Sequence, residues 1–120
     1  MRVYTKHIGT NELLLRVERL TFEANARAGI LQQILSITEA EERRELFFEY
    51  EKLYQDTIWE WNRSTKEFAK KYLMDFGLHK INWDVDGKEG TVSVKVFCNC
   101  NLSLDEGWIL HEYKNLSTKN

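Results

Sequence analysis

Cys98 and Cys100 are the residues in this chain whose type and spacing best suit chemistry. On a β-strand, positions i and i+2 point the same way, so two thiolates could share a thiophilic metal. Zinc normally takes four ligands, so His7, His79 or His111 would have to converge on the pair, or two subunits would pool their cysteines. Redox function is the other chemistry open to such a pair. Against both stands the parity of Cys98 and Cys100, which is that of Val92, Val94 and Val96. Free cysteine packs as a small hydrophobe, so the parity favours a place in the core, with no metal or cofactor assigned. A bond between the two is not expected, because same-face neighbours on a strand are about 7 Å apart at Cα, beyond ordinary disulfide reach.

Asn82-x-Asp84-x-Asp86-Gly87 resembles the start of a calcium loop, but the twelfth position is Ser93, where a bidentate Glu is needed. A β-turn is the better reading. The three histidines are far apart and have no motif around them. Nucleophile-elbow, Walker and zincin motifs are all missing from the sequence. Arg43, Arg44 and Arg63 could make a local anion site, yet charge on a helix is usually its solvated face. Catalytic residues are therefore not assigned, and the balance leans away from an enzyme.

Two helices and a set of strands must position these residues. Thr10 or Asn11 can cap a first helix. Its apolar face runs through Leu13, Val17, Leu20, Ala24, Ala28, Leu31 and Leu35, at spacings of three and four. The helix is expected to reach about Ser36, with a bend at Gly29. Thr38-Glu39-Ala40-Glu41 reads as a capping box for a second helix. Acidic residues follow it, Lys66, Lys70 and Lys71 suit the far end, and Gly77 is a natural stop. A continuous helix from about Glu39 to Phe76 would be roughly 55 Å long.

Its main stripe is Phe47, Tyr50, Tyr54, Ile58, Trp61, Phe68, Tyr72 and Phe76. Most such stripes are packing. Phe48, Trp59 and Leu73 line up on a different edge, about 100° away. Phe22 and Leu15 likewise lie opposite the main face of the first helix. These residues are surplus to a small core, so Phe48, Trp59, Leu73 and Phe22 are interface candidates.

From Leu78 the period falls to two. Ile81, Trp83 and Val85 alternate with polar residues, and Asp86 to Gly90 has turn composition. Alternation from Thr91 to Leu104 predicts one long half-buried strand. Asp105-Glu106-Gly107 then reads as a hairpin loop with Gly in the left-handed position, returning Trp108 to Tyr113 as a third strand. A capping box at Ser103 to Glu106 makes a helix over 108–116 the competing reading. Arg2 to Ile8 is β-prone and offers a fourth strand at the edge of the sheet.

The expected fold is thus α+β, with an antiparallel pair of long helices packed on a three- or four-stranded antiparallel meander. Residues 1–120 read as a single domain, with an edge strand at 1–9, a helical hairpin at 10–77 and strands at 78–116. The 17 Lys+Arg nearly balance 19 Asp+Glu, for a net charge of -2, which argues against nucleic-acid binding through bulk positive potential. Hydrophobic residues make up 42%, enough to exclude wholesale disorder. Proline is absent, so a slow folding step would need a cause other than an X-Pro bond. No apolar run approaches the ~20 residues of a membrane span, and Met1 to Thr10 lacks the apolar core of a signal peptide. A cytoplasmic protein is the default expectation, and the Asn-x-Ser sequons at Asn62, Asn101 and Asn115 then carry no weight.

Two functions fit this frame. One is an adaptor, inhibitor or assembly subunit, acting through an apolar helix surface on another protein or on itself as a homodimer. The other is a ligand-binding domain or small enzyme with an aromatic pocket lined by Tyr50, Tyr54, Trp61, Trp83 and Trp108.

Overall fold

A computed structural model describes residues 1–111 of the chain. The element order is β1 (Arg2–His7), α1 (Glu12–Leu35), α2 (Ala40–Tyr72), a 3-10 turn (Met74–Phe76), β2 (Ile81–Asp86), β3 (Thr91–Val96) and β4 (Trp108–His111). The fold class is α+β, two helices packed against each other and a four-stranded antiparallel sheet. The chain divides into two compact units, Arg16–Glu67 and the described part of Met1–Leu15 with Phe68–Asn120. The boundaries fall within the helices, not at their ends. No helix among the described residues is long and apolar enough to cross a membrane.

The helix ends follow local chemistry. Asn11 caps α1, its Oδ1 accepting the Leu14 amide at 3.0 Å. The helix runs unbroken through Gly29, so the expected bend does not interrupt it. The cap of α2 is Glu39 in place of Thr38, since the Glu39 carboxylate accepts the Glu42 amide at 2.7 Å. At the other end α2 stops at Tyr72, four residues early. The chain tightens into the 3-10 turn, and Gly77 leaves it at φ 56°, a backbone region that glycine enters without steric cost.

The helical unit is an antiparallel pair. Arg16 Nε donates to Ser64 Oγ at 3.2 Å and Trp61 Nε1 to Thr21 Oγ1 at 2.8 Å. Arg27 Nη1 donates to Thr57 Oγ1. Position numbers rise on one helix as they fall on the other. Thr57 and Ser64 are buried in this seam, where their small hydroxyl side chains satisfy the arginines. Val17, Leu20, Ala24 and Ile34 supply its buried apolar residues.

In the sheet unit the strand order is β2-β3-β1-β4. The expected meander is corrected in two places. β1 is not at the edge but between β3 and β4, and β4 pairs with β1, with Tyr4 opposite Leu110 and Lys6 opposite Trp108. The loop before β4 is therefore not a hairpin. Gly107 has no positive φ. A Cβ there would meet Lys6 Cε at 2.9 Å, the movable end of a flexible side chain, whereas at Gly90, with φ 69°, a Cβ would meet the Thr10 backbone nitrogen at 2.8 Å. The strand reading of Trp108 holds over Trp108–His111; the rest of that segment, Tyr113, Leu116 and Asn115 included, lies outside the described residues.

The long strand expected over 91–104 ends at Val96. Register explains this. β1 starts at Arg2 opposite Val96, and β2 starts at Ile81 opposite the same residue. Beyond Val96 neither neighbour has a strand to offer, so the ladder stops. One face of the sheet carries Tyr4, Val92, Val94, Val96 and Trp108, all buried. Leu14, Phe68 and Phe76 of the same unit are completely buried as well, and the Phe76 ring meets that of Tyr4 at 6.0 Å. Phe68 stacks on Trp83 at 4.9 Å, and Phe76 meets Trp108 edge-on at 4.8 Å.

Candidate functional site

Where β3 ends, the sheet unit gathers a histidine, two cysteines and an arginine. Past Val96 the chain bends, and this bend changes the cysteines. Cys98 and Cys100 are 5.3 Å apart at Cα and joined by a disulfide. The expectation of two unbonded core thiols is corrected: a bend shortens the i to i+2 span into the disulfide range, which an extended strand does not. Both residues are half-buried.

Arg2, from the first residue of β1, holds the bend. Its Nη2 donates to the carbonyl of Cys98 at 3.1 Å and to that of Cys100 at 2.6 Å. Nη1 donates to Tyr4 Oη at 3.2 Å, steadying the guanidinium. One side chain thus grips both ends of the Cys-x-Cys backbone, 98 and 96 residues away in sequence.

His79 comes from the segment leading into β2, and its Nδ1 lies 3.6 Å from Cys98 Sγ. The donor atoms of His79, Cys98 and Cys100 all fall within 4.8 Å of one another. Of the three histidines weighed from the sequence, His79 joins the cysteines. His7 stands beside Thr91 and His111 beside Val3 in the ladder. Nothing in the sequence near Cys98 points to Arg2. His79 did have a signal: a hairpin that pairs Val85 with Val92 puts residue 79 opposite residue 98.

Such a cluster can exchange disulfides with an outside thiol. Once reduced, it can also present two sulfurs and a nitrogen to a thiophilic ion. On the same unit, Asp105 titrates below the usual carboxylate range. The main cause is its hydrogen bond from Lys6 Nζ at 2.8 Å, followed by the Gly107 amide.

The interface candidates separate. Leu73 is 5% exposed and belongs to the core of the sheet unit; its amide still bonds to the Ala69 carbonyl at 2.8 Å, at the point where α2 gives way to the 3-10 turn. Phe48, Trp59 and Phe22 are 78%, 64% and 74% exposed. Phe48 and Trp59, eleven residues apart, lie within about 20° of one line along α2, roughly opposite the Thr57–Ser64 seam. Arg63 lies 5.0 Å from the Trp59 ring centroid. Phe22 lies with Leu15 on the outward face of α1 and forms a second, separate edge.

Of the five pocket aromatics, Tyr50, Tyr54 and Trp61 belong to the helical unit, and Trp83 and Trp108 to the sheet unit. Tyr54 and Trp61 border a cleft of about 120 Å³ in the helical unit, with Thr21, Ala24 and Ile58. Trp83 borders an open cleft of about 400 Å³ with Asn82, Asp84, Ser93 and Lys95. Tyr50 lines neither, and Trp108 is core. Comparison with protein-family models, curated proteins and solved structures finds no match for this chain.

Proposed function

We propose that this protein is a non-enzymatic interaction module that pairs with a second copy of itself through the outward face of α2. The observation that carries the reading is the exposure of Phe48 and Trp59, 78% and 64%, on one edge of one helix. Two aromatics of this size left in water are a standing cost, which a contact removes. A two-fold arrangement buries the same edge twice.

Charge favours an antiparallel pairing. On that edge Glu41 and Glu45 lie before Phe48, and Arg63 and Lys66 lie after Trp59. A two-fold axis midway between Phe48 and Trp59 sets Phe48 of one copy against Trp59 of the other. The same axis sets Glu41 against Lys66. Opposite charges at the rim select register and orientation more than they add affinity.

The pocket reading has less behind it. The cleft in the helical unit, at about 120 Å³, is well below the ~300 Å³ at which small-molecule sites begin. The larger one is open to solvent, with Trp83 bordered by Asn82, Asp84, Ser93 and Lys95.

Sedimentation at tens of micromolar tests the proposal. The wild type is expected to be a dimer, and Trp59→Glu a folded monomer by circular dichroism. Glu41→Lys should weaken the dimer, and adding Lys66→Glu should restore it. A monomeric wild type would refute the proposal. A dimer that survives Trp59→Glu would move the contact elsewhere, and the Phe22 edge would be the next to test.

A further inference from the structure

The cluster at the end of β3 has a chemistry of its own, independent of the helical face. We propose that Cys98–Cys100 is a redox-active disulfide that accepts two electrons from a dithiol, with His79 as the proton donor to the departing Cys98 sulfur.

Four observations carry this. First, the bond closes a loop of only three residues. Cross-links stabilise a fold by restricting the unfolded chain, and the gain grows with loop length, so this one has little structural return. Second, the loop does not depend on the bond for its shape, because Arg2 holds the carbonyls of both cysteines. Reduced and oxidised forms can then share one backbone. Third, the pair is half-buried and flanked by exposed residues. Asn99 lies between the cysteines, Phe97 precedes them, and Leu78 precedes His79. Phe97 and Leu78 offer apolar contact to an approaching protein that carries the dithiol. Fourth, the imidazole stands beside one sulfur, Cys98, at 3.6 Å, which makes the two sulfurs unequal.

The inequality fixes the order of events. A partner thiolate attacks Sγ of Cys100, forming a bond between the partner sulfur and Cys100. The Cys98–Cys100 bond breaks, its electron pair leaves on Cys98 Sγ, and the protonated imidazole of His79 gives that sulfur a proton. The partner's second thiolate then attacks the partner sulfur of the mixed disulfide. The partner's own disulfide forms, and Cys100 departs as a thiolate that takes a proton from water. The partner loses two electrons and two protons, and the cysteines gain both.

Dithiothreitol is the probe. The full chain is oxidised with oxidised glutathione, and free thiols are counted by alkylation and mass spectrometry while circular dichroism follows the fold. The expected result is no free thiol after oxidation, two after dithiothreitol, and the same spectrum in both states. His79→Asn should slow the reduction roughly tenfold or more, with the same final thiol count. Cys98→Ser, treated with 5,5′-dithiobis(2-nitrobenzoate), should form a mixed disulfide at Cys100 and release one equivalent of 5-thio-2-nitrobenzoate as the leaving thiolate. Two thiols that persist in oxidised glutathione would overturn the proposal. Reduction that unfolds the chain would do the same, as would His79→Asn reacting at the wild-type rate. Stoichiometric zinc on the reduced cysteines of protein purified without added metal would instead make the cluster a metal centre.

Discussion

The sheet unit and the helical unit solve the burial problem differently. Among the described residues, the largest completely buried side chains, Leu14, Phe68, Phe76, Val92, Val94 and Val96, all belong to the sheet unit. The helical unit has none of them. It buries Thr57 and Ser64 in a hydrogen-bonded seam and leaves Phe22, Phe48 and Trp59 outside. A sheet face backed by helix ends can enclose aromatics on all sides. Two helices alone enclose one stripe each, and whatever lies outside that stripe stays in water. The first unit encloses aromatics completely even though Leu78, Met74 and Ile109 stay exposed on it; the second encloses no aromatic completely, and the proposed contact between copies lies on its exposed rings.

Substitutions on the two sides should show this contrast. The largest effect is expected at Phe68, fully buried between Trp83 and Tyr72. Phe68→Ala should cost about 3–5 kcal/mol in urea denaturation. A loss below about 1 kcal/mol would mean that the sheet unit is not the tighter of the two. Asn11→Ala should come next, at roughly 1–2 kcal/mol, because Asn11 both caps α1 and donates to Tyr72 Oη at 3.0 Å. In the helical unit, Trp61→Phe keeps a ring and removes the donor to Thr21. A loss of about 1 kcal/mol is expected, visible as a lower denaturation midpoint with an unchanged slope. Trp59→Ala, studied at concentrations where the chain is monomeric, should stay within about 0.5 kcal/mol. A larger loss would place Trp59 in an intramolecular core and remove the contrast.

The smallest effect is electrostatic. Asp105 has its folded-state titration lowered by Lys6. Whatever stability it adds is present above the ordinary aspartate range and is lost as pH falls through the lowered value. Lys6→Met should raise the Asp105 midpoint in a carboxylate NMR titration and barely move the stability near neutral pH, since exposed pairs contribute little. A midpoint unchanged by Lys6→Met would assign the shift to the Gly107 amide.

The legible parts of the fold were those governed by neighbours in sequence. Apolar spacing marked both helices, Asn11 marked the start of one and Gly77 the exit from the region of the other, and the Asp86–Gly90 turn marked the β2–β3 hairpin. Exposure of Phe48 and Trp59 also agrees with their angle to the stripe, because helical geometry converts position into direction. Leu73 shows the limit of that conversion. The angle gives a direction but not what lies there, and at the end of α2 Leu73 is enclosed in the core of the sheet unit.

Strand order was not legible, because an antiparallel ladder can form between any two strands that the chain brings together. Continuity of alternation suggested that residues 91–104 form one strand, but a strand persists only where a neighbour pairs with it. Both neighbours of β3 begin opposite Val96. That ending decided the fate of the cysteines. Parity placed them in the core as thiols, whereas the loss of the ladder let the chain bend and brought their sulfurs together. Sequence alone thus determined the helices and the central hairpin, while the approach of His79 to Cys98 appeared only in the structure. The placement of β1 between β3 and β4, and with it the grip of Arg2 on the Cys98 and Cys100 carbonyls, was decided only in the tertiary structure. Pairing between segments more than eighty residues apart depends on which edges remain open after the local elements have formed, and no local spacing encodes that.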